Sequence, residues 1–493
     1  MNQHTRAWPA LWSLVIGFFM ILVDSTIVTV AMPSIMKSFD ADINQAVWVT
    51  SAYLLAYAVP LLITGRLGDR FGPKNIYLIG LVIFTLSSAW CGLSNSIEML
   101  IVARVVQGLG AALMTPQTMA VITRVFPPER RGAAMGLWGA VAGVATLVGP
   151  ILGGVLVDAA GWEWIFYINI PVGVIGFILA ARLVPVLPTS AHRFDWLGVA
   201  LSGLGMFCIV FGIQEAETYN WGTISGPITV WSLIGTGIFL MVVFVLWQRF
   251  NRAEPLLPLG LFKDRNFSLS NLAISAMGFT ITSMMLPFML YAQNVRSLSP
   301  TQAALLLVPM ALISGGLAPV VGKLVNKMDP KYFAIGGFAI LSAALFWLGS
   351  ILTADVPIWM LLFPIALFGF ANAGIWAPVS MTATRNLEPR LAGAGSGVYN
   401  TTRQVGAVLG SAAIAAVMQA QLNANLPKPP AGAAPAGEGV LPEFLHAGFS
   451  TAMGQSLFVP ATVILIGVVA ALFFAKPKKR AAQPEEVPVF AAE

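Results

Sequence analysis

Runs of about twenty apolar residues alternate with short polar stretches along this whole chain, and there are fourteen of them. They begin near Leu11, Trp48, Asn75, Ile97, Ala133, Glu163, Asp195, Pro227, Phe267, Gln302, Lys331, Pro357, Ala392 and Phe449. At a rise of about 1.5 Å per residue, each is long enough to cross the roughly 30 Å hydrocarbon layer as a helix. Only helices and closed barrels satisfy their backbone hydrogen bonds in lipid, and the alternation of a barrel strand is absent. The pattern predicts an all-α integral membrane protein of fourteen crossings, with both ends on one side.

Basic residues set the orientation. Arg66, Arg70 and Lys74 follow the second run, Arg124, Arg130 and Arg131 the fourth, Lys323, Lys327 and Lys331 the tenth, and Lys476 to Arg480 the last. The opposite loops hold only Lys37, Arg296 and Lys428, while Arg104 and Arg403 fall inside runs. By the positive-inside rule the basic side is cytoplasmic, so the expected location is the cytoplasmic (plasma) membrane with cytoplasmic N- and C-termini.

Composition agrees, with 57% hydrophobic and 10% charged residues, against about 25% charged in soluble domains. The net charge of +6 sits in short loops and reads as topology, so no nucleic-acid partner is expected. Cys91 and Cys208 both lie in apolar runs, which excludes a disulfide framework and a metal-ligand cluster. The run from Leu11 to Pro33 is too long for a signal-peptide core and lacks a small-residue cleavage site, so it reads as a retained first span. With no GxxxxGK[ST] loop, neither a nucleotide site nor any other cofactor is expected. His4, His192 and His446 fall in loops or termini, and no catalytic constellation shares one depth, so the chain does not read as an enzyme.

An internal repeat supplies the architecture. GRLGDRFGPK (Gly65 to Lys74) aligns without gaps on GKLVNKMDPK (Gly322 to Lys331), and matches continue at Ile97 with Ile358, Thr123-Arg124 with Thr384-Arg385, and Gly136 with Gly397. The offset is eight helices, so a six-helix repeat needs two extra helices, Asp195 to Gln214 and Pro227 to Trp247. The expected division is a six-helix bundle over 1–188, a two-helix linker over 189–265, a second bundle over 266–480 and a tail over 481–493. A Pro-Ala-Gly-rich outer loop, 421–448, has little apolar surface to bury and is expected to be flexible. Parallel six-helix repeats around a midplane cavity are the plan of a rocking secondary transporter.

With these features in view, the chain resembles the major facilitator superfamily over essentially its whole length. More narrowly, it is similar to the fourteen-helix drug:proton antiporter branch of EmrB/QacA type. Gly65 to Lys74 resembles the family's loop signature. The resemblance implies a cytoplasmic gate at Gly65, Asp69, Arg70, Gly72 and Lys74, with Pro73 standing where a basic residue is usual. The plainer reading is a tight loop with topogenic charge. Gly136 to Gly154 resembles the antiporter signature, carried here by Gly149, Pro150, Gly153 and Gly154, with Ala145 in place of one glycine. Close helix packing alone explains much of it. WVTSAYLL from Trp48, WEWIFYINIPVG from Trp162 and PLLPLGLFKDRNF from Pro255 are similar to further branch segments, although Glu163 stands where an arginine is usual.

Charges inside the membrane are the strongest functional signal, because they are expensive there. Arg104, in RVVQGLG, lies about six residues from the outer end of its helix, and Asp24 nine from Pro33. These spacings correspond to depths of roughly 9 and 13 Å, so the two could meet. In the repeat, position 104 falls on Ile365, and the first helix of the second half has no carboxylate. A pair present in one half alone points to a functional role, and the resemblance of RVVQGLG to the family's helix signature implies proton coupling, with Asp24 as carrier and Arg104 as modulator. The alternative is a static buried ion pair. Both segments resemble those of the antiporter branch. Arg403, near the middle of its helix, reads as a ligand for an anionic substrate group or backbone carbonyls, or as a structural hydrogen-bond hub. Asn400, Tyr399, Gln107, Trp138 and Tyr53 complete the expected substrate cavity.

The resulting expectation is a proton-coupled multidrug antiporter exporting amphipathic or apolar small molecules by alternating access, as a monomer among membrane lipids. A single embedded carboxylate favours monovalent, neutral or zwitterionic substrates. The alternative on the same fold is an exporter or flippase of an endogenous lipid or metabolite.

Overall fold

A computed structural model describes residues 7–189, 194–251, 255–325, 327–387, 392–427 and 441–475. His4, His192, Lys428, the basic cluster 476–480, the tail 481–493 and the middle of the expected outer loop lie outside the described residues.

Every apolar run falls on helix. The first bundle comprises α1 (Ala7–Phe39), α2 (Ile43–Ala58), α3 (Leu61–Phe71), α4 (Pro73–Gly92), α5 (Ile97–Val125), α6 (Pro128–Ala160), α7 (Trp164–Tyr167) and α8 (Asn169–Leu183). Then come α9 (Trp196–Gln214) and α10 (Val230–Phe250). The rest is α11 (Arg265–Leu290), α12 (Pro300–Leu305), α13 (Val308–Val325), α14 (Pro330–Ile351), α15 (Ile358–Thr384), α16 (Ala392–Asn425), α17 (Glu443–Ser456), α18 (Phe458–Val463) and α19 (Leu465–Leu472). Among the described residues, twelve helical stretches are long and apolar enough to cross a membrane, or thirteen if α2 and α3 are one bent span.

Several predicted single helices are broken. The second run bends by 51° between α2 and α3, where Pro60 has no N–H to give and its ring crowds the preceding turn. The linker holds a small hairpin, β1 (Thr223–Ser225) paired antiparallel with β2 (Ile228–Thr229), whose turn uses Gly226 at φ +53°. The expected outer loop is shorter than its composition suggests. α16 extends to Asn425 and α17 starts at Glu443, so both ends of the 421–448 stretch are helical.

Packing repeats the sequence duplication. α4 packs on α5, α2 on α5 and α1 on α6; in the second half α14 packs on α15, α13 on α15 and α11 on α16. α4 and α14 both open with proline in the first turn, at the aligned positions Pro73 and Pro330. α1 and α11 are the most buried long spans, while α10 leaves most of its surface exposed.

The linker pair is fastened to the first half. Asp195 caps α9 through the Gly198 N–H (2.9 Å) and accepts from Trp247 Nε1 (2.8 Å) and Gln248 Nε2 (2.7 Å) of α10. Glu215, after α9, accepts from Asn44 Nδ2 (2.9 Å) and Trp48 Nε1 (2.6 Å) of α2. α9 also lies against α16 of the second half, with no hydrogen bond between them among the described residues.

The two halves meet at the end of the molecule opposite the basic loops. Asp158 accepts from Ser299 Oγ (2.9 Å) and the Thr301 N–H (3.0 Å), and Gln293 Nε2 donates to the Val30 carbonyl (3.0 Å). Deeper in, Ser51 and Ser411 hydroxyls are 2.7 Å apart. This end is closed.

Candidate functional site

Side chains of α1, α2, α4, α5 and α8 converge on one buried polar cluster in the first half. α1 supplies Asp24, and α5 supplies Arg104 and Gln107, which at i and i+3 share a face. α8 opens with Asn169, and α4 brings Ser88. The Asp24 carboxylate accepts from Arg104 Nη1 (2.5 Å), Gln107 Nε2 (2.9 Å) and Asn169 Nδ2 (3.0 Å). Arg104 also donates to Gln107 Oε1 (2.6 Å) and to the Val49 carbonyl (3.2 Å). The Tyr53 ring lies 4.0 Å beneath its guanidinium. Asn169 is steadied by Ser88 Oγ (2.9 Å), which itself donates to the Phe166 carbonyl (2.9 Å). Asp24 and Arg104 are both 0% exposed.

Such a pair exchanges a large desolvation penalty for short charge-assisted bonds, and it survives only when its remaining valences are filled. Here the carboxylate has three donors and the guanidinium has acceptors and an aromatic face. Nη2 of Arg104 and the Tyr53 hydroxyl are buried without a hydrogen-bond partner. Asn169 and Ser88 were not singled out by their sequence pattern, although an asparagine in the apolar WEWIFYINIPVG run was the available signal.

The central cavity is separate from this cluster. It holds about 160 Å³ between α1, α2, α11, α13, α15 and α16, and its wall includes Met285, Met310, Asn372, Trp376 and Arg403. Of the six residues expected to line it, Arg403 does so. Gln107 and Tyr53 belong instead to the Asp24–Arg104 cluster. Trp138 stacks on Phe18 at 4.3 Å. Tyr399 is buried off the wall, and Asn400 turns back to donate to the Ser396 carbonyl (3.0 Å). At the level of Arg403, α11 presses against α16. Gly278 makes that approach possible, since an added Cβ would collide with the Arg403 carbonyl.

At the basic end, Asp69 is ion-paired with Arg124, which also donates to the Pro188 carbonyl (3.2 Å). Gly72, at φ +91°, ends α3 and turns the chain into Pro73. Gly65 sits near Pro116 of α5, Arg70 lies over the Phe194 ring at 5.0 Å, and Lys74 is half-buried in the first turn of α4. The glycines of α6 face two partners. Gly149 and Gly153 lie against Thr26 and Ile27, directly after Asp24 on α1, while a Cβ on Gly154 would come 2.7 Å from the Pro300 carbonyl of the second half. Pro150 lies between them, inside α6.

The model of the Major Facilitator Superfamily matches residues 14–411. An uncharacterized MFS-type transporter of Mycobacterium tuberculosis is 54% identical over 99% of this chain and 84% of its own length. The tetracenomycin C resistance and export protein of Streptomyces glaucescens is 33% identical, covering 98% of this chain and 94% of its own. Among solved structures, a D-xylose-proton symporter superposes with a TM-score of 0.63 at 15% identity, over 96% of this chain and 98% of that one. A multi-pass bundle built on a duplicated helical unit, with this family match across most of its length, has one assignment: the chain belongs to the Major Facilitator Superfamily and is a membrane transporter of small molecules.

Proposed function

We propose that this transporter is a proton-driven exporter of amphipathic or apolar small molecules, with fourteen crossings and both termini in the cytoplasm. The observation that carries the reading is the Asp24–Arg104 pair, buried in one half and replaced by Ile365 at the aligned position of the other. A pair needed only for folding has no reason to be one-sided. The export direction is supported by the tetracenomycin C resistance and export protein and by a putative multidrug resistance protein of Escherichia coli that is 34% identical over 81% of this chain.

In this mechanism the halves alternate between the state seen here, closed where Asp158 meets Ser299 and Thr301, and one closed at the basic loops. A proton taken up by Asp24 discharges the pair and releases Arg104, and the motion of α1 against α6 carries that change to the cavity. Asp69 and Arg124 act as a latch at the basic end. One proton moving down 100 mV provides about 2.3 kcal/mol, a gradient of roughly 50-fold, so no ATP is required.

The test uses energised inverted vesicles. Adding a transported amphiphile should release protons from the lumen, read as recovery of a quenched pH dye, and Asp24→Asn should abolish that recovery. Substrate-dependent proton release that persists in Asp24→Asn defeats the assignment.

A further inference from the structure

The cavity wall carries a single formal charge among the described residues, and it is positive. Arg403 lies about twelve residues into α16, close to the middle of the span, and faces the space between the halves. Asp24, the embedded carboxylate, is turned away: it is fully buried in its own cluster and absent from the cavity wall. Arg403 has no carboxylate partner among the described residues and makes no side-chain hydrogen bond there. Its guanidinium lies 5.8 Å from the Trp376 ring, and the Tyr57 and Tyr399 hydroxyls are near enough to feel its charge. Its Nε is buried without an acceptor, and the Oδ1 of Asn372, also on the wall, is buried without a donor. Everything else on the wall is apolar or neutral, with Met32, Met284, Met285 and Met310 supplying a deformable surface.

A guanidinium at this depth is costly unless something fills its valences. Close packing at Gly278, Gly406 and Gly410 locks α16 against α11, so Arg403 cannot be carried away from the cavity by a shift of its own helix. Its planar fork matches a carboxylate or another two-oxygen anion, and the adjacent indole offers a flat apolar face. We infer that the cavity selects amphipathic monoanions, the acidic group paired with Arg403 and the aromatic or aliphatic body lying on Trp376 and the methionines, and that it disfavours cations. This takes the cavity to be the site of the transported molecule, and so rests on the export reading. It also narrows the expected substrates, since exchanging an anion for an incoming proton moves two charges per cycle where a neutral substrate moves one.

The test is equilibrium binding of three matched probes to the full chain in lipid nanodiscs: naphthoate, naphthalenemethanol and naphthalenemethylamine. Naphthoate should bind about tenfold or more tighter than the alcohol, with the amine weakest. Arg403→Gln should lose the preference, naphthoate weakening at least about tenfold more than the alcohol, while Arg403→Lys keeps its sign with a smaller ratio. Should Arg403→Gln not fold, the wild-type ranking and Arg403→Lys decide. The inference is overturned if the amine equals or exceeds naphthoate, if naphthoate does not bind, or if Arg403→Gln keeps the ratio. Naphthoate preference without any proton-coupled transport would leave this inference standing and remove the export reading. Proton-coupled export of the alcohol or amine with no preference for naphthoate would do the reverse.

Discussion

Removing one charge of the Asp24–Arg104 pair and leaving the other is the perturbation whose cost the structure allows to be worked out. Asp24→Asn keeps an oxygen for Gln107 and Asn169 but loses the ionic bond at 2.5 Å. It strands a guanidinium that is 0% exposed, with only Gln107 Oε1, the Val49 carbonyl and the Tyr53 ring left to it. Arg104→Gln does the converse, leaving a carboxylate with two neutral donors. Breaking a buried pair in this way costs about 3–5 kcal/mol. The double variant buries no charge at all and should return to within about 1 kcal/mol of the wild type, a strong non-additivity. Thermal unfolding of the four purified proteins in detergent gives the stability cycle, and proton-driven uptake into inverted vesicles gives the functional one. The two cycles should part company, stability recovering in the double variant and transport remaining absent. Recovery of both would mean that the pair only neutralises itself. Single variants as stable as the wild type would refute the burial energetics.

Other expectations are local. Gly149→Ala places a methyl against Thr26 on the Asp24-bearing helix and should cost about 1–3 kcal/mol, seen as a lower melting temperature. Gly154→Ala intrudes on Pro300 and Thr301 at the closed end, so a membrane-impermeant maleimide applied from that side should label Ser25→Cys in the cavity faster; unchanged labelling would contradict the closure described. Asp69→Asn removes a pair whose side chains are 33% and 29% exposed, and should leave stability within about 1 kcal/mol while slowing transport. Asp195→Ala should cost about 1–2 kcal/mol through loss of the α9 cap. Burial pushes the Asp195 carboxyl up, but hydrogen bonds from Trp247, Gln248, the Gly198 N–H and Asn251 outweigh it and hold the pKa below the usual carboxylate value. A depressed native pKa means that the wild type's advantage over Asp195→Ala is complete above about pH 4 and fades as pH falls through the native value, which melting curves across pH would reveal.

Much of this was legible from the chain because lipid makes sequence patterning blunt. An apolar run has to be a helix, and a charge inside one is expensive enough to mark a role, so Asp24 and Arg104 stand out in the sequence itself. What the pattern hid was which neutral groups complete the cluster. Asn169, Ser88 and Tyr53 carry no charge, and their roles depend on helix rotation that the apolar pattern does not specify. The same ignorance of rotation put Tyr53, Gln107, Trp138, Tyr399 and Asn400 on the cavity wall, where they do not lie. Pro60 was visible as a residue, but the bend it makes between α2 and α3 depends on what packs against that turn.

The linker pair has a mechanical consequence. Glu215 ties it to Asn44 and Trp48, Gly203 rests on Val59, and Phe244 and Leu256 pack on Ile63, so its hydrogen-bonded fastenings belong to the first half. Against α16 it has only unbonded contact. Whenever the halves tilt, α9 and α10 should travel as passengers of one bundle while α16 slips past them. That makes one flank of the carrier a sliding joint, with α9 laid over α16 yet hydrogen-bonded only to the bundle it rides with.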